Sequence, residues 1–162
     1  MFSSCRLLLM TGLLTACEVT SLEVHSPGTP GDQDPLKADL APGTVEAPGS
    51  IRFDALVQMR VGVRNSGNGT AGPGWVVRVF ISSDSHIDSS DHQIDQFVAT
   101  RELPSGGQDR YLRNKKLSGL LPGDYYIGSI VDVTDVVPER TETNNTLATP
   151  GRITLLAVAA QP

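Results

Sequence analysis

Val57-Gln58-Met59-Arg60-Val61-Gly62-Val63-Arg64, followed after a break by Trp75-Val76-Val77-Arg78-Val79-Phe80-Ile81, is the stretch on which the fold turns. In the first run every second residue is apolar, the period of a strand with one face buried and the other wet. The second run is almost continuously apolar, with Trp75, Val77, Val79 and Ile81 on one face and Val76, Arg78 and Phe80 on the other. It reads as a central strand. Between the two, Asn65 to Gly74 carries Asn68, Gly69, Gly72, Pro73 and Gly74, which are turn formers.

Outward from this pair, short strands are expected at 38–40 and 51–53, and longer ones at 94–101, 111–117, 125–131 and 152–158. Pro104 to Gly107, Pro122-Gly123 and a polar loop after Val133 separate them. About seven closely spaced strands without helical periodicity predict an all-β, immunoglobulin-like antiparallel β-sandwich. The 162 residues are 39% hydrophobic and 5% aromatic, with 16 Gly and 11 Pro, which suits many turns and excludes a helical bundle or coiled coil. With 13 Lys and Arg against 18 Asp and Glu, the net charge of −5 disfavours nucleic acid as a partner.

Toward the start, Arg6 and the apolar run from Leu7 to Ala16 have the order of an export signal. The run is too short to anchor as a helix, which needs roughly 20 apolar residues. Leu14-Thr15-Ala16-Cys17 resembles the lipobox of bacterial lipoproteins. That resemblance implies cleavage before Cys17, lipidation of its thiol and amine, and membrane lipid as the first partner. Several acyl chains anchor stably where one holds marginally. Glu18 after the cysteine implies outer-membrane sorting. The expected organisation is a signal peptide at 1–16, a lipidated Pro/Gly-rich tether at 17–37 and a sandwich at 38–158. His25 of the tether is given no role. Cys5 leaves with the signal and Cys17 is lipidated, so no disulfide is expected in the folded part.

Several blocks carry a family resemblance in their order. Asp39-Leu40 opens the unit; Val61 to Gly69 reads Val-Gly-Val-Arg-Asn-Ser-Gly-Asn-Gly; Phe80 to Asp84 reads Phe-Ile-Ser-Ser-Asp, with Ile87, Asp88 and Asp91 after it. Leu121 to Tyr126 reads Leu-Pro-Gly-Asp-Tyr-Tyr, Asp132 ends the next strand, and Glu139 to Thr146 reads Glu-Arg-Thr-Glu-Thr-Asn-Asn-Thr. The chain resembles CARDB, the cell-adhesion-related domain found in bacteria, over residues 38 to 156. Thr141, where the family often has Asn or Asp, and the polar stretch with Lys115 and Lys116 depart from its pattern. The resemblance implies a non-catalytic binding or adhesion module of the cell envelope, presenting loops and a sheet edge to a protein or glycan. The alternatives are an assembly factor whose edge strand pairs with another envelope protein, or an accessory to a periplasmic hydrolase.

Two polar clusters are candidate sites. Asp84, Asp88, Asp91 and Asp95 lie in an oxygen-rich stretch of the kind Ca²⁺ needs, with Asp84, Asp88 and Asp91 as the ligands. The spacing is not that of an EF-hand, since Ser89 stands at the sixth position and Asp95 at the twelfth. The competing reading has Asp84 and Asp91 building the turn through hydrogen bonds to backbone N–H groups. The second cluster is Asp132, Glu139, Glu142, Asn144 and Asn145, where the Asn side chains are expected to satisfy backbone groups. Tyr111, Tyr125 and Tyr126 either line a sugar or protein contact or pack half-buried at a sheet edge. The sequons at Asn68 and Asn144 mean little for a bacterial lipoprotein.

Catalysis is poorly served. His86 and His92 lack the further ligands of a transition-metal site, and Ser82, His86 and Asp88 crowd one loop without an evident oxyanion hole. The sequence has no Gly-X-Ser-X-Gly elbow, phosphate loop or dinucleotide fingerprint.

Overall fold

The alternating run and the apolar run become partners across one core. The computed structural model describes residues 35–157. The expected signal peptide, Cys17, His25 and all but the end of the tether lie outside the described residues, as does Val158. Nine strands follow in order: β1 Leu40–Glu46, β2 Ser50–Arg52, β3 Leu56–Asn65, β4 Val76–Ser82, β5 His92–Val98, β6 Gln108–Lys116, β7 Gly123–Ile130, β8 Thr146–Ala148 and β9 Ile153–Leu156.

One sheet is β1-β3-β6; the other is β2-β9-β7-β4-β5, with β8 also on β7. Val57, Met59, Val61 and Val63 of β3 are buried together with Trp75 and with Val77, Val79 and Ile81 of β4, as period two requires. Leu40, Leu117, Ile127 and Leu155 complete this core from both sheets. The all-β sandwich is thereby as expected, with one exception: β2 pairs with β9 in parallel, while the other named pairs are antiparallel.

Three further details differ from the sequence reading. β1 begins at Leu40, where the short strand expected at 38–40 ends, and runs through Pro42-Gly43 to Glu46; on an edge strand both residues are tolerated, and the register shifts between Pro42 and Thr44. β8, three residues inside a polar loop, has no periodicity long enough to read. It forms because β7 pairs through Gly128 to Ile130 with β8 and through Gly123 to Tyr125 with β9. Finally, Phe80 is buried although it faces away from the main core.

The cause of that burial is the loop between β4 and β5. Phe80 is opposite Gly128 in the β4–β7 register. A Cβ on Gly128 would overlap Ile87 Cγ1, so Ile87 of the loop lies directly on the bare backbone of β7. The Asp-rich loop thus roofs the outer face of the second sheet, with a small apolar cluster beneath it.

Candidate functional site

The carboxylates of that roof serve their own loop. His86 N–H donates to Asp84 Oδ1 at 2.8 Å, Ser90 N–H to Asp88 Oδ1 at 2.7 Å, and Asp88 N–H to Asp91 Oδ2 at 2.9 Å. These are side-chain turns that fix the backbone without a helix or ladder. The Ser90 hydroxyl adds a bond to Asp88 Oδ1 at 2.6 Å, and together the Ser90 bonds hold the Asp88 carboxyl below its ordinary value. Among the described residues no three His, Cys, Asp or Glu side chains are placed to hold a metal ion. His86 and His92 are exposed.

Asp95 leaves this group altogether. It is buried, and accepts from Arg113 Nε at 2.5 Å, from Lys115 Nζ at 2.8 Å and from Gln96 N–H at 2.8 Å. Burial pushes its pKa up, but the Arg113 and Lys115 bonds outweigh that and hold it below the ordinary value. Since Asp95 is on β5 and both cations on β6, the cluster clasps one edge of the sandwich.

The tyrosines are half-buried. Tyr111 stands edge-on to Trp75 with centroids 6.5 Å apart, packs 4.5 Å from Phe97, and donates to Asp109 Oδ2 at 3.1 Å. Burial and the Asp109 bond push its phenol up to about 12. Tyr125 donates to the Leu121 carbonyl at 2.9 Å, and Arg152 lies 5.5 Å over the Tyr126 ring. Their faces pack at the sheet surface and do not form an open aromatic platform.

The second cluster is drawn together. Asp132 has a left-handed φ of 44°, and its carboxylate accepts Val136 N–H at 3.2 Å and Val137 N–H at 2.8 Å, closing the turn after β7. Glu142 Oε1 accepts Glu139 N–H at 2.9 Å, and Asn144 Nδ2 donates to Asp39 Oδ1 at 3.0 Å. Glu139 is 5% exposed, and neither of its carboxyl oxygens has a hydrogen-bond partner. Burial above all pushes this carboxyl up to about 8; the Asn145 amide beside it opposes that, second in size only to burial, and the negative charges of Glu142, Asp132 and Asp39 add to the rise. The expectation that the Asn side chains satisfy backbone groups is not met in the bonds seen: Asn144 donates to the Asp39 carboxylate, Asn145 lies against the Glu139 carboxyl, and the Oδ1 atom of each is buried without a partner. Beside them a cleft of about 450 Å³ is lined by Asp132, Asp135, Glu142 and Asn145 among others.

Sequence reasoning missed Asn65 as an anchor, although it quoted the block that contains it. Its Oδ1 accepts from Asp39 N–H and Gly67 N–H, both at 3.0 Å, while Nδ2 donates to the carbonyls of Gly69 at 2.8 Å and Leu103 at 2.9 Å. The signal was available: an Asn ending a buried strand before Ser-Gly-Asn-Gly is a residue able to organise a loop. Gly67 and Gly69 have backbone of Leu36 to Asp39 where a Cβ would stand, so the entering chain packs directly on this loop.

Residues 37–149 match the CARDB family model. The chain belongs to the CARDB family. Solved structures share its fold, two of them as follows. The CARDB domain of a Pyrococcus furiosus protein, in complex with di-metal ions, is 20% identical over 74% of this chain and 90% of that one, with a TM-score of 0.57. A domain of a putative cell surface protein from Methanosarcina acetivorans is 21% identical over 75% of this chain and 94% of that one, also with a TM-score of 0.57. A comparison with the curated proteins finds no match. CARDB membership places the chain in a cell-surface, adhesion-related class of module.

Proposed function

We propose that this CARDB protein is a lipid-anchored, non-catalytic adhesion module of the bacterial cell envelope, held at the outer membrane through acylated Cys17. It presents one face and edge of its sandwich to a glycan or protein. The observation that carries the reading is the outer face of β3 and β6. Leu56 and Leu112 are exposed there, two of several large apolar side chains left at the surface of the described residues, and they share this face with polar side chains. Around them the register sets Arg60 opposite Leu112, Gly62 opposite Arg110 and Gln58 opposite Asn114. Arginine forks, amides and leucines on one exposed sheet face suit hydroxyl- and carboxylate-bearing partners, in a chain whose net charge is −5. The Methanosarcina relative's description as a cell surface protein supports the location.

Two experiments test this. Purified envelope polysaccharide should retain the protein, and Arg110→Glu with Leu112→Glu should abolish retention without lowering the melting temperature; unchanged retention removes this face from the proposal. Cys17→Ser should move the protein from the membrane fraction to the soluble one, and a variant that stays with the membrane ends the lipid anchor. Co-purification of one stoichiometric envelope protein that this face does not contact would favour the assembly-factor reading. Calcium held by Asp84, Asp88 and Asp91 would act by stiffening the loop that roofs β4 and β7. The di-metal complex of the Pyrococcus domain supports asking that question here.

A further inference from the structure

Glu139 is a buried ionisable group that the adhesion surface leaves unused and, unlike Asp95 and Asp132, one whose carboxyl oxygens make no well-formed hydrogen bond. A carboxylate withdrawn from water is costly unless it is paired, hydrogen-bonded or coordinated to a metal. Here Glu139 Oε1 and Oε2 are buried without a hydrogen-bond partner, and so are Oδ1 of Asn144 and Oδ1 of Asn145. Asn145 lies against the Glu139 carboxyl and Asn144 is its neighbour in the chain. The Asn144 amide cannot simply be turned to supply a donor, because its Nδ2 already donates to Asp39 Oδ1 at 3.0 Å. Asp132, Glu142 and Asp39 add negative field around the same carboxyl.

We propose that Glu139, Asn144 and Asn145 form a binding site for a hard divalent cation of the calcium type, entered through the cleft lined by Asp132, Glu142 and Asn145. The donor set is oxygen only, which suits calcium and disfavours the metals that prefer thiolate or imidazole. It holds a single carboxylate with two amide oxygens, so it needs no trio of acidic or His side chains; water completes the six to eight positions that calcium takes. The cation offsets the like charges around Glu139 and meets four buried oxygens, on which the only donor that bears is the Asn145 amide beside the carboxyl. It also bears on chain entry, since Ala38 bridges Glu139 and Asp39 bonds Asn144. A bound cation would fasten the segment by which the tether enters the sandwich.

The test uses the full chain, stripped with EDTA and titrated with CaCl₂ alone in a calorimeter, beside thermal melts. One site with Kd of roughly 0.1–1 mM is expected, the range of extracellular modules. Calcium at about 10 mM should raise the melting temperature by a few degrees. Glu139→Gln should abolish both responses while melting in EDTA no lower than the parent, because it removes the buried charge. Asp84→Ala with Asp91→Ala should leave both responses intact. If Glu139→Gln does not fold, Asn145→Ala keeps the carboxylate and should weaken binding at least about tenfold by loss of an oxygen ligand. No heat and no shift in the parent overturns the proposal, as does a calcium response that survives Glu139→Gln. Loss of the response only in the Asp84 and Asp91 variant also overturns it, and assigns calcium to that loop.

Discussion

Asn65 and Glu139 grip the same short segment from two sides. Asp39 N–H donates to Asn65 Oδ1, and Ser66 N–H to the Asp39 carbonyl at 2.8 Å. From the other side Ala38 bridges Glu139, and Arg140 N–H donates to the Ala38 carbonyl at 2.9 Å. Both side chains are buried and polar. Asn65 has each of its hydrogen-bonding positions engaged, two accepted and two donated, whereas the Glu139 carboxyl oxygens have none. A neutral amide with four partners fixes a loop by itself; a carboxylate with none leaves its loop dependent on protonation or a ligand.

The sharpest way to break the contrast is Asn65→Leu. It strands the N–H groups of Asp39 and Gly67 and the carbonyls of Gly69 and Leu103 in or near the core. A loss of about 3 kcal/mol or more is expected in urea denaturation. A loss below about 1 kcal/mol would mean that water reaches these groups and that Asn65 is no anchor.

Glu139 should show the opposite dependence on acid from an ordinary paired carboxylate. Its folded pKa of about 8 lies above the usual 4.5, so between those values the folded protein binds more protons than the unfolded one. Its stabilising contribution is full below the unfolded pKa and is lost as pH rises through the folded one. Without calcium, stability should fall across that window by on the order of a few kcal/mol. Glu139→Gln should flatten that part of the profile, measured as denaturation midpoint against pH. An identical slope in the variant would assign the titration elsewhere.

A third, smaller effect tests the packing under the Asp-rich loop. Gly128→Ala places a methyl group on Ile87 Cγ1 and 2.8 Å from the Leu147 carbonyl oxygen. Overpacking of this kind costs about 2 kcal/mol. Adding Ile87→Ala should recover part of that loss, so a thermodynamic cycle gives a coupling well above about 0.5 kcal/mol if the two residues are in contact. Strict additivity would separate them.

What the chain announces and what it hides follow from the range of each interaction. The two-residue period of Val57 to Val63 and the face formed by Trp75, Val77, Val79 and Ile81 are local, and the structure buries both as the pattern requires. Burial of Phe80 is not local, because it needs Ile87 seven residues on and Gly128 on another strand. The second cluster was legible as a group, since Glu139, Glu142, Asn144 and Asn145 are close in sequence. Its deficit of donors was not, because that depends on Asp39 arriving from the other end of the domain. Asp95 shows the reverse error of proximity: it sits beside the other aspartates in sequence, but strand alternation turns it to Arg113 and Lys115.

The smallest effect separates turn-building from ligand-holding in the loop itself. Asp84→Ala and Asp91→Ala each remove a carboxylate that accepts one backbone N–H, those of His86 and Asp88. His86 is exposed, so water replaces much of what its N–H loses. Each substitution should cost about 1 kcal/mol or less, the size of a side-chain cap. If the loop only builds a turn, that cost is the same in EDTA and in calcium, and Asn at either position restores most of it because an amide oxygen accepts the same bond. A cost that appears only in calcium, and that Asn fails to restore, would show the carboxylate charge acting on a cation. The Asp-rich loop would then join Glu139 on the ligand-dependent side of the contrast, leaving Asn65 as the anchor that needs none.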